Sequence, residues 1–297
     1  MAKAIDLMKE AFIQLSSYQA TIPVRTVISS SDQDGRVLFM PSYSPAFGLF
    51  GLKMVSVFNK NEEVGLPVIQ GNMLIMDGKH GSPLAMIDAE YMTALRTGAA
   101  SGLATDLLAR KDATVLAIFG TGAQAETQVA GILPVRKITK VIVFGRSKEK
   151  TIFFCKKMTN QFPCEIVPAT SSIDLLQADI ICTATTSKTP VFEEQHVKAG
   201  SHINGIGSFT SSMQEIPSDV INKAWVVVDQ YAAALKEAGD IVIPIQQGLI
   251  DQNHIRAELG EIILGRNAGR TLHDQITVFK SVGNAIQDLA IASCLLS

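Results

Sequence analysis

Charge and aromatic rings are scarce in this chain. Of its 297 residues, 18% are charged and 6% aromatic, with a single tryptophan. Lysine and arginine number 26 against 28 acids, a formal net charge of −2. So small a net charge exerts no long-range pull on nucleic acid or an anionic bilayer, and no basic stripe stands out locally. Cysteine is scarcer still, with four residues at 155, 164, 182 and 294 and no C-x-x-C pair. Neither these nor the five histidines, at 80, 196, 202, 254 and 273, have the spacing of a zinc or iron–sulfur site. We therefore expect no metal and no disulfide framework. Cys182, within the apolar run Ile180–Thr185, is expected to be a reduced core thiol. No run attains the 18 or more apolar residues of a membrane span. The stretch Met1–Glu10 carries charges where a signal peptide needs an apolar block. These absences predict a cytoplasmic protein with neither membrane nor nucleic acid as a partner.

Apolar residues make up 47% of the chain and the mean hydropathy is +0.23, which excludes a disordered chain. The length favours two domains over one enlarged core. From about 22 to 87, short apolar runs split by Gly, Pro, Asp and Asn predict strands at Ile22–Ser29, Val37–Met40, Gly51–Phe58, Asn72–Asp77 and Pro83–Ile87. Asp88 is placed to cap a long helix over Ala89–Ala109. Thereafter the runs Thr114–Phe119, Val141–Phe144, Ile180–Thr185, His202–Ile206 and Trp225–Val228 are apolar on both faces. Fully apolar strands alternating with helices require a parallel sheet covered on both sides. The stretch Ile276–Leu296 reads as a closing helix returning to the first domain.

The string Phe119-Gly-Thr-Gly-Ala-Gln-Ala125 follows the first buried strand and opens a helix. It has the form G-x-G-x-x-A. Gly120 permits a tight turn, Gly122 lets the backbone approach a pyrophosphate, and Ala125 keeps helix and strand close. Free N–H groups and the positive dipole end at the helix start, beginning with Ala123 and Gln124, suit phosphates. The β-α alternation on either side makes this a dinucleotide turn rather than a stray glycine loop. About 20 residues on, where an NAD site carries an acid for the ribose, the chain reads Phe144-Gly-Arg-Ser147. Arg146 and Ser147 can hold a 2′-phosphate, so NADPH is the expected cofactor, with NADH the alternative.

Three cations fall where the pattern calls for apolar residues. Arg96 shares a helical face with Met92, Ala99, Ala100 and Leu103. Lys53 lies in Gly51–Phe58, apolar on both faces, and Arg25 in Ile22–Ile28. A buried cation is costly unless paired, and an anionic ligand is one way to pair it. Structural ion pairs or snorkelling side chains would explain each singly. Three in the non-nucleotide domain suggest a pocket for a small carboxylate, such as an amino or imino acid.

At these residues the chain resembles the ornithine cyclodeaminase/mu-crystallin family over nearly its whole length. The likeness rests on Pro23-Val-Arg-Thr-Val27, Met40-Pro-Ser-Tyr43, Gly51-Leu-Lys53, Thr93–Ser101, Phe119–Gln124, His202–Gly207, Ala257–Glu261 and Phe279–Gly283. It implies a Rossmann-type doubly wound parallel sheet plus a second, α+β domain for substrate binding and dimerisation. The second domain would span 1–105, joined by a C-terminal helix at 283–297, and the dinucleotide domain 106–282. The resemblance also implies a homodimer with the active site between the domains. It assigns Arg25, Lys53 and Arg96 to the substrate carboxylate and its neighbourhood. Nucleotide contacts carry over to Gly120, Gly122, Ala123, Gln124, Thr185, Asn204, Ile206 and Ser281, and Arg146 matches the arginine of mu-crystallin's Asn-Arg-Thr.

One position departs from that pattern. Cyclodeaminases carry a catalytic aspartate just after the strand at 204–207, and Phe209 stands there in this chain. A phenyl ring cannot take a proton from an amine. The expected activity is therefore reduction of a small cyclic imino acid, Δ1-pyrroline-2-carboxylate or Δ1-piperideine-2-carboxylate, with Lys53 as the acid for the ring nitrogen. Alternatives are an ornithine cyclodeaminase, an alanine or opine-type dehydrogenase, and a non-catalytic NADPH-regulated ligand binder.

Overall fold

The structure is a computed structural model describing residues 1–296, without the side chains of Asn59 and Glu62. Alternating apolar residues punctuated by turns build the first part of the chain. Helix α1 (Ala2–Ser16) precedes strands β1 (Thr26–Ser30), β2 (Gly35–Ser44), β3 (Leu49–Phe58), β4 (Ile69–Asp77) and β5 (Pro83–Asp88). They form one antiparallel sheet in chain order. The turns into β3 and β5 carry Gly48 and Gly81 at φ +64° and +71°, a conformation glycine adopts without strain. The first strand starts at Thr26, later than the expected Ile22, since Pro23 has no N–H for a ladder.

Asp88 Oδ1 accepts the N–H of Glu90 (3.0 Å) and so starts helix α2 (Glu90–Leu108). Helix α2 meets α3 (Ala123–Ile132) backbone to backbone. A Cβ at Gly98 would lie 2.1 Å from Thr127 O, and one at Gly131 2.0 Å from Gly98 O. This contact fixes the first sheet against the second.

The second sheet comprises β6 (Val115–Phe119), β7 (Lys140–Phe144), β8 (Glu165–Pro168), β9 (Ile180–Thr183), β10 (His202–Gly205), β11 (Trp225–Val228), β12 (Ile255–Glu258) and β13 (Thr277–Lys280). Its order is β12-β11-β13-β10-β9-β6-β7-β8, parallel throughout. Helices α4 (Lys148–Thr159), α5 (Ser218–Lys223), α6 (Tyr231–Glu237), α7 (Gly239–Gln246) and α8 (Leu259–Ile263) complete the alternation with α3. The fold class is thus the expected one, a Rossmann-type doubly wound sheet beside an α+β unit. Strand order reverses at β6/β9, where open α/β sheets bind ligands at their carboxyl ends. Cys182 is fully buried in β9, its thiol pushed up to about 12 by burial, as expected of a core cysteine.

The closing segment corrects one expectation. Ile276–Leu296 is not one helix, because Thr277–Lys280 forms the buried strand β13 between β10 and β11. Gly283, at φ +76°, breaks the chain, and a capping box of Asn284 and Gln287 starts α9 (Ala285–Leu295). Residue 297, the last of the expected 283–297 helix, lies outside the described residues. Helix α9 returns to the first sheet and packs on α1, α2, β2 and β3. Among the described residues no helix is long and apolar enough to cross a membrane.

Candidate active site

Strand pleating sends alternate side chains of β2 and β3 to one face. On that face Arg36, Leu38 and Met40 stand beside Lys53, Val55 and Val57. Across from them are the carboxyl ends of β9, β10 and β13. A cavity of about 480 Å³ opens between, walled by apolar residues of the first sheet and by loops of the second. Arg25, Lys53, Arg96, Gln124, Thr185, Ile206 and Ser281 all line it, so it gathers all three unexpected cations and part of the dinucleotide set.

Each cation is held. Lys53 Nζ lies 2.6 Å from Asp288 Oδ2, with the lysine side chain 2% and the aspartate 0% exposed. Arg96 donates from Nε to Asp288 Oδ1 (3.1 Å) and from Nη1 to Gln287 Oε1 (2.6 Å). Arg25 donates to Gly283 O (2.9 Å) and Val282 O (3.3 Å) and pairs with Glu237 Oε2 at 2.8 Å. These three cations face two carboxylates, Asp288 and Glu237, and Arg36 and Lys236 also line the cavity, so positive charge is in surplus for an anionic ligand. Burial lowers the Lys53 ammonium to about 8; the Asp288 charge resists the fall, and Arg96 adds to it.

Buried acids shape the rim of the cavity. Asp229 Oδ2 accepts from Ser281 Oγ (2.9 Å), Val282 N (3.0 Å) and Gly283 N (2.7 Å), bending the loop on which Arg25 rests. Only glycine fits at 283, since a Cβ there would lie 2.2 Å from Arg96 Nη1. Glu215 accepts the N–H groups of Thr185 (2.6 Å), Gly207 (2.6 Å) and Ser208 (3.0 Å), tying two cofactor-side loops together.

The glycine turn has the features a dinucleotide requires. Gly120 takes φ +110°, and a Cβ there would meet Ala184 O at 2.5 Å. Around Gly122 a Cβ would meet nothing within 4 Å, so the space over it is open. No side chain caps the start of α3, leaving its N–H groups at Ala123 and Gln124 for phosphates. Gln124 Oε1, lining the cavity, is buried without a hydrogen-bond partner. The residues present therefore fit a bound nucleotide. Arg146 is exposed after β7 and has no ion pair among the described residues, while the Ser147 hydroxyl accepts from Lys150 N (3.3 Å) as the cap of α4.

Asn204 does not line the cavity. Its amide donates to Thr105 Oγ1 (2.9 Å) and Cys182 Sγ (3.5 Å), and its oxygen meets His202 Nε2 (3.2 Å), so the side chain is turned into the core. Sequence reasoning also missed Asp288, Glu237, Asp229 and Arg36. Asp288 had a readable signal, as the only acid on the apolar helix α9. Glu237 had none, lying beside Lys236 at the end of a short helix where a charged pair is ordinary. Phe209 lines the cavity, and Glu237 is the only carboxylate among the lining residues.

A parallel sheet with a dinucleotide turn at its switch point, opposite a cationic pocket, defines a nicotinamide-dependent oxidoreductase. The chain belongs to the ornithine cyclodeaminase/mu-crystallin family, matching it over residues 1–296. A Δ1-pyrroline-2-carboxylate reductase of Bacillus cereus is 40% identical over 297 residues, covering 99% of this chain and 91% of that protein. The structure of Thermococcus litoralis Δ1-pyrroline-2-carboxylate reductase, in complex with NADH and L-proline, superimposes with a TM-score of 0.93 at 38% identity. It covers 99% of this chain and 93% of that one. An archaeal alanine dehydrogenase dimer with bound NAD also gives 0.93, at 32% identity, covering 98% of this chain and 89% of that one.

Proposed function

We propose that the protein reduces a small cyclic imino acid, Δ1-pyrroline-2-carboxylate or Δ1-piperideine-2-carboxylate, to L-proline or L-pipecolate in the cytoplasm. The observation that carries this reading is the cation surplus of Arg25, Lys53 and Arg96 opposite the glycine turn. The named activities of the Bacillus and Thermococcus relatives support it. A cyclodeaminase is disfavoured because Phe209 lines the cavity and the one lining carboxylate, Glu237, is bound to Arg25.

The turn at Gly120, Gly122, Ala123 and Gln124 would hold the pyrophosphate, with Thr185, Ile206 and Ser281 alongside the nicotinamide. A reduced nicotinamide bound there supplies the hydride. Arg25 and Arg96 clamp the substrate carboxylate and fix the C=N carbon in place. Lys53 Nζ gives its proton to the ring nitrogen. We assign NADPH through Arg146, with NADH as the alternative that the nucleotides in the relatives' structures keep open. Arg146→Ala should weaken NADPH at least tenfold and leave NADH nearly unchanged in fluorescence titrations; equal loss for both removes the phosphate role.

We further propose that residues 1–105 with α9 act as the substrate and dimer domain and 106–282 as the nucleotide domain. The outer face of the first sheet supports a homodimer. Ile28, Phe50 and Met86 stand on it at 60%, 40% and 68% exposure.

The deciding assay supplies either imino acid with NADPH or NADH, and separately ornithine with NAD, while nicotinamide absorbance and ammonia are followed. Cofactor oxidation with the imino acids is the expected result. Ammonia and proline from ornithine would overturn the reading, and silence in both assays would favour a ligand binder.

A further inference from the structure

We propose that Asp288 is a positioning residue of this site: its carboxylate fixes the Lys53 ammonium as proton donor and turns Arg96 toward the substrate. The inference rests on the imine-reduction reading above.

The geometry is specific. Asp288 lies on α9, a helix that contributes no residue to the glycine turn, and it spans both cations with its two oxygens. Oδ2 sits 2.6 Å from Lys53 Nζ and Oδ1 3.1 Å from Arg96 Nε. Oδ2 is thus committed to the Lys53 ammonium, in an ion pair with both side chains almost wholly buried. Arg96 Nη1 is taken by Gln287, one residue earlier on the same helix. Nη2 is given no partner by these contacts and is the donor left for a carboxylate. A planar guanidinium held at two of its nitrogens cannot swing, so the third points where the protein sets it.

The approach of α9 to β3 is itself built in. A Cβ at Gly51 would lie 2.9 Å from Leu289 Cδ1 and 2.4 Å from Met73 Cε. Glycine at 51 therefore admits α9 against the strand, and Lys53, two residues on along the same pleat, meets Asp288. Had Asp288 only to neutralise charge, one cation would suffice. A two-oxygen bridge between proton donor and carboxylate clamp fixes their mutual distance, which a reaction at adjacent C and N atoms needs.

The chemistry balances simply. A bound reduced nicotinamide would supply the hydride for the new C–H bond at the imine carbon, being oxidised in turn; as the C=N π bond opens, Lys53 would give its proton to nitrogen and regain one from water. Asp288 stays ionised throughout. The charged groups facing Lys53 are Asp288 from α9, Arg96 from α2 and Arg25 ahead of β1, with Glu237 of α6 on Arg25 and Arg36 of β2 further along the cavity. Burial drives Lys53 down to about 8 and the Asp288 charge opposes this. Removing that charge should lower the lysine further, so the donor form disappears at lower pH.

The test compares the full-length wild type with Asp288→Asn and Asp288→Glu. One readout is the pH profile of kcat/KM for Δ1-pyrroline-2-carboxylate. The other is calorimetric binding of pyrrole-2-carboxylate, a planar ring acid that cannot accept hydride. In the wild type both should decline above about pH 8. In Asp288→Asn both limbs should move down by about 1–3 pH units, the effect of one neighbouring opposite charge. Uniform loss at every pH with unmoved limbs would make Asp288 merely structural and overturn the proposal. Should the Asn variant not fold, Asp288→Glu decides: a retained limb with kcat reduced at least tenfold at unchanged KM supports positioning, and wild-type kcat refutes it. If no imine is turned over but the analogue's binding limb shifts in Asp288→Asn, the reaction assignment fails while the Asp288–Lys53 coupling stands.

Discussion

Lys53 is the residue on which the proposed chemistry turns. Its strand neighbours Met40 and Met73 are apolar and buried, so along the sheet the ammonium finds no polar partner and depends on Asp288 and the cavity. Isolation of that kind is costly and persists only where a partner or a ligand compensates. Lys53→Ala should lower kcat by about 10²–10⁴, the usual worth of a general acid, while cofactor affinity in fluorescence titrations stays within a factor of about three. Turnover near the wild-type rate would eliminate the lysine as the acid. The three cations were legible in the sequence because a charge interrupting an apolar period is conspicuous. Asp288 obeys the same rule on α9, yet an acid among alanines near the chain's last helix looks like surface until the fold buries it. Asn204, assigned by family resemblance alone, instead satisfies polar groups in the core with its side chain.

At the scale of the element, the turn between β6 and α3 separates two uses of glycine. Gly120 is required by its own backbone, at φ +110° against Ala184 O. At Gly122 nothing described in the protein lies within 4 Å of an added Cβ, so any need for glycine there comes from the proposed nucleotide. Gly120→Ala should therefore destabilise the fold by about 1–3 kcal/mol or more, seen as a lowered Tm. Gly122→Val should leave Tm within a degree or two while abolishing cofactor binding by titration. Matching losses of Tm in the two variants would refute the distinction. Parallel strands and the glycine turn were readable because unbroken apolar runs of four to six residues have few other uses. Strand β13 was not, since the Gly283-Asn284 break after Thr277–Lys280 lies inside an apolar stretch long enough to read as a single helix. Only the tertiary position, between β10 and β11, decides it.

The whole molecule leaves one apolar sheet face uncovered. Met86→Lys, placing a charge where a partner copy would pack, should convert a dimer to monomer by light scattering, with the monomer's far-UV spectrum unchanged. An unaltered mass would move the interface elsewhere. Nothing in the strand pattern foretold which face would remain open, because both faces of β2 and β3 read as apolar. The return of α9 to the first sheet has a further consequence for how the protein comes into being. Arg96 and Asp288 stand 192 residues apart. As the chain is synthesised, the first sheet emerges long before its acid, with two cations that cannot be buried alone. The pairing of Lys53 and Arg96 with Asp288 is therefore a contact that only the nearly finished chain can make, closing the first sheet across the whole length of the second.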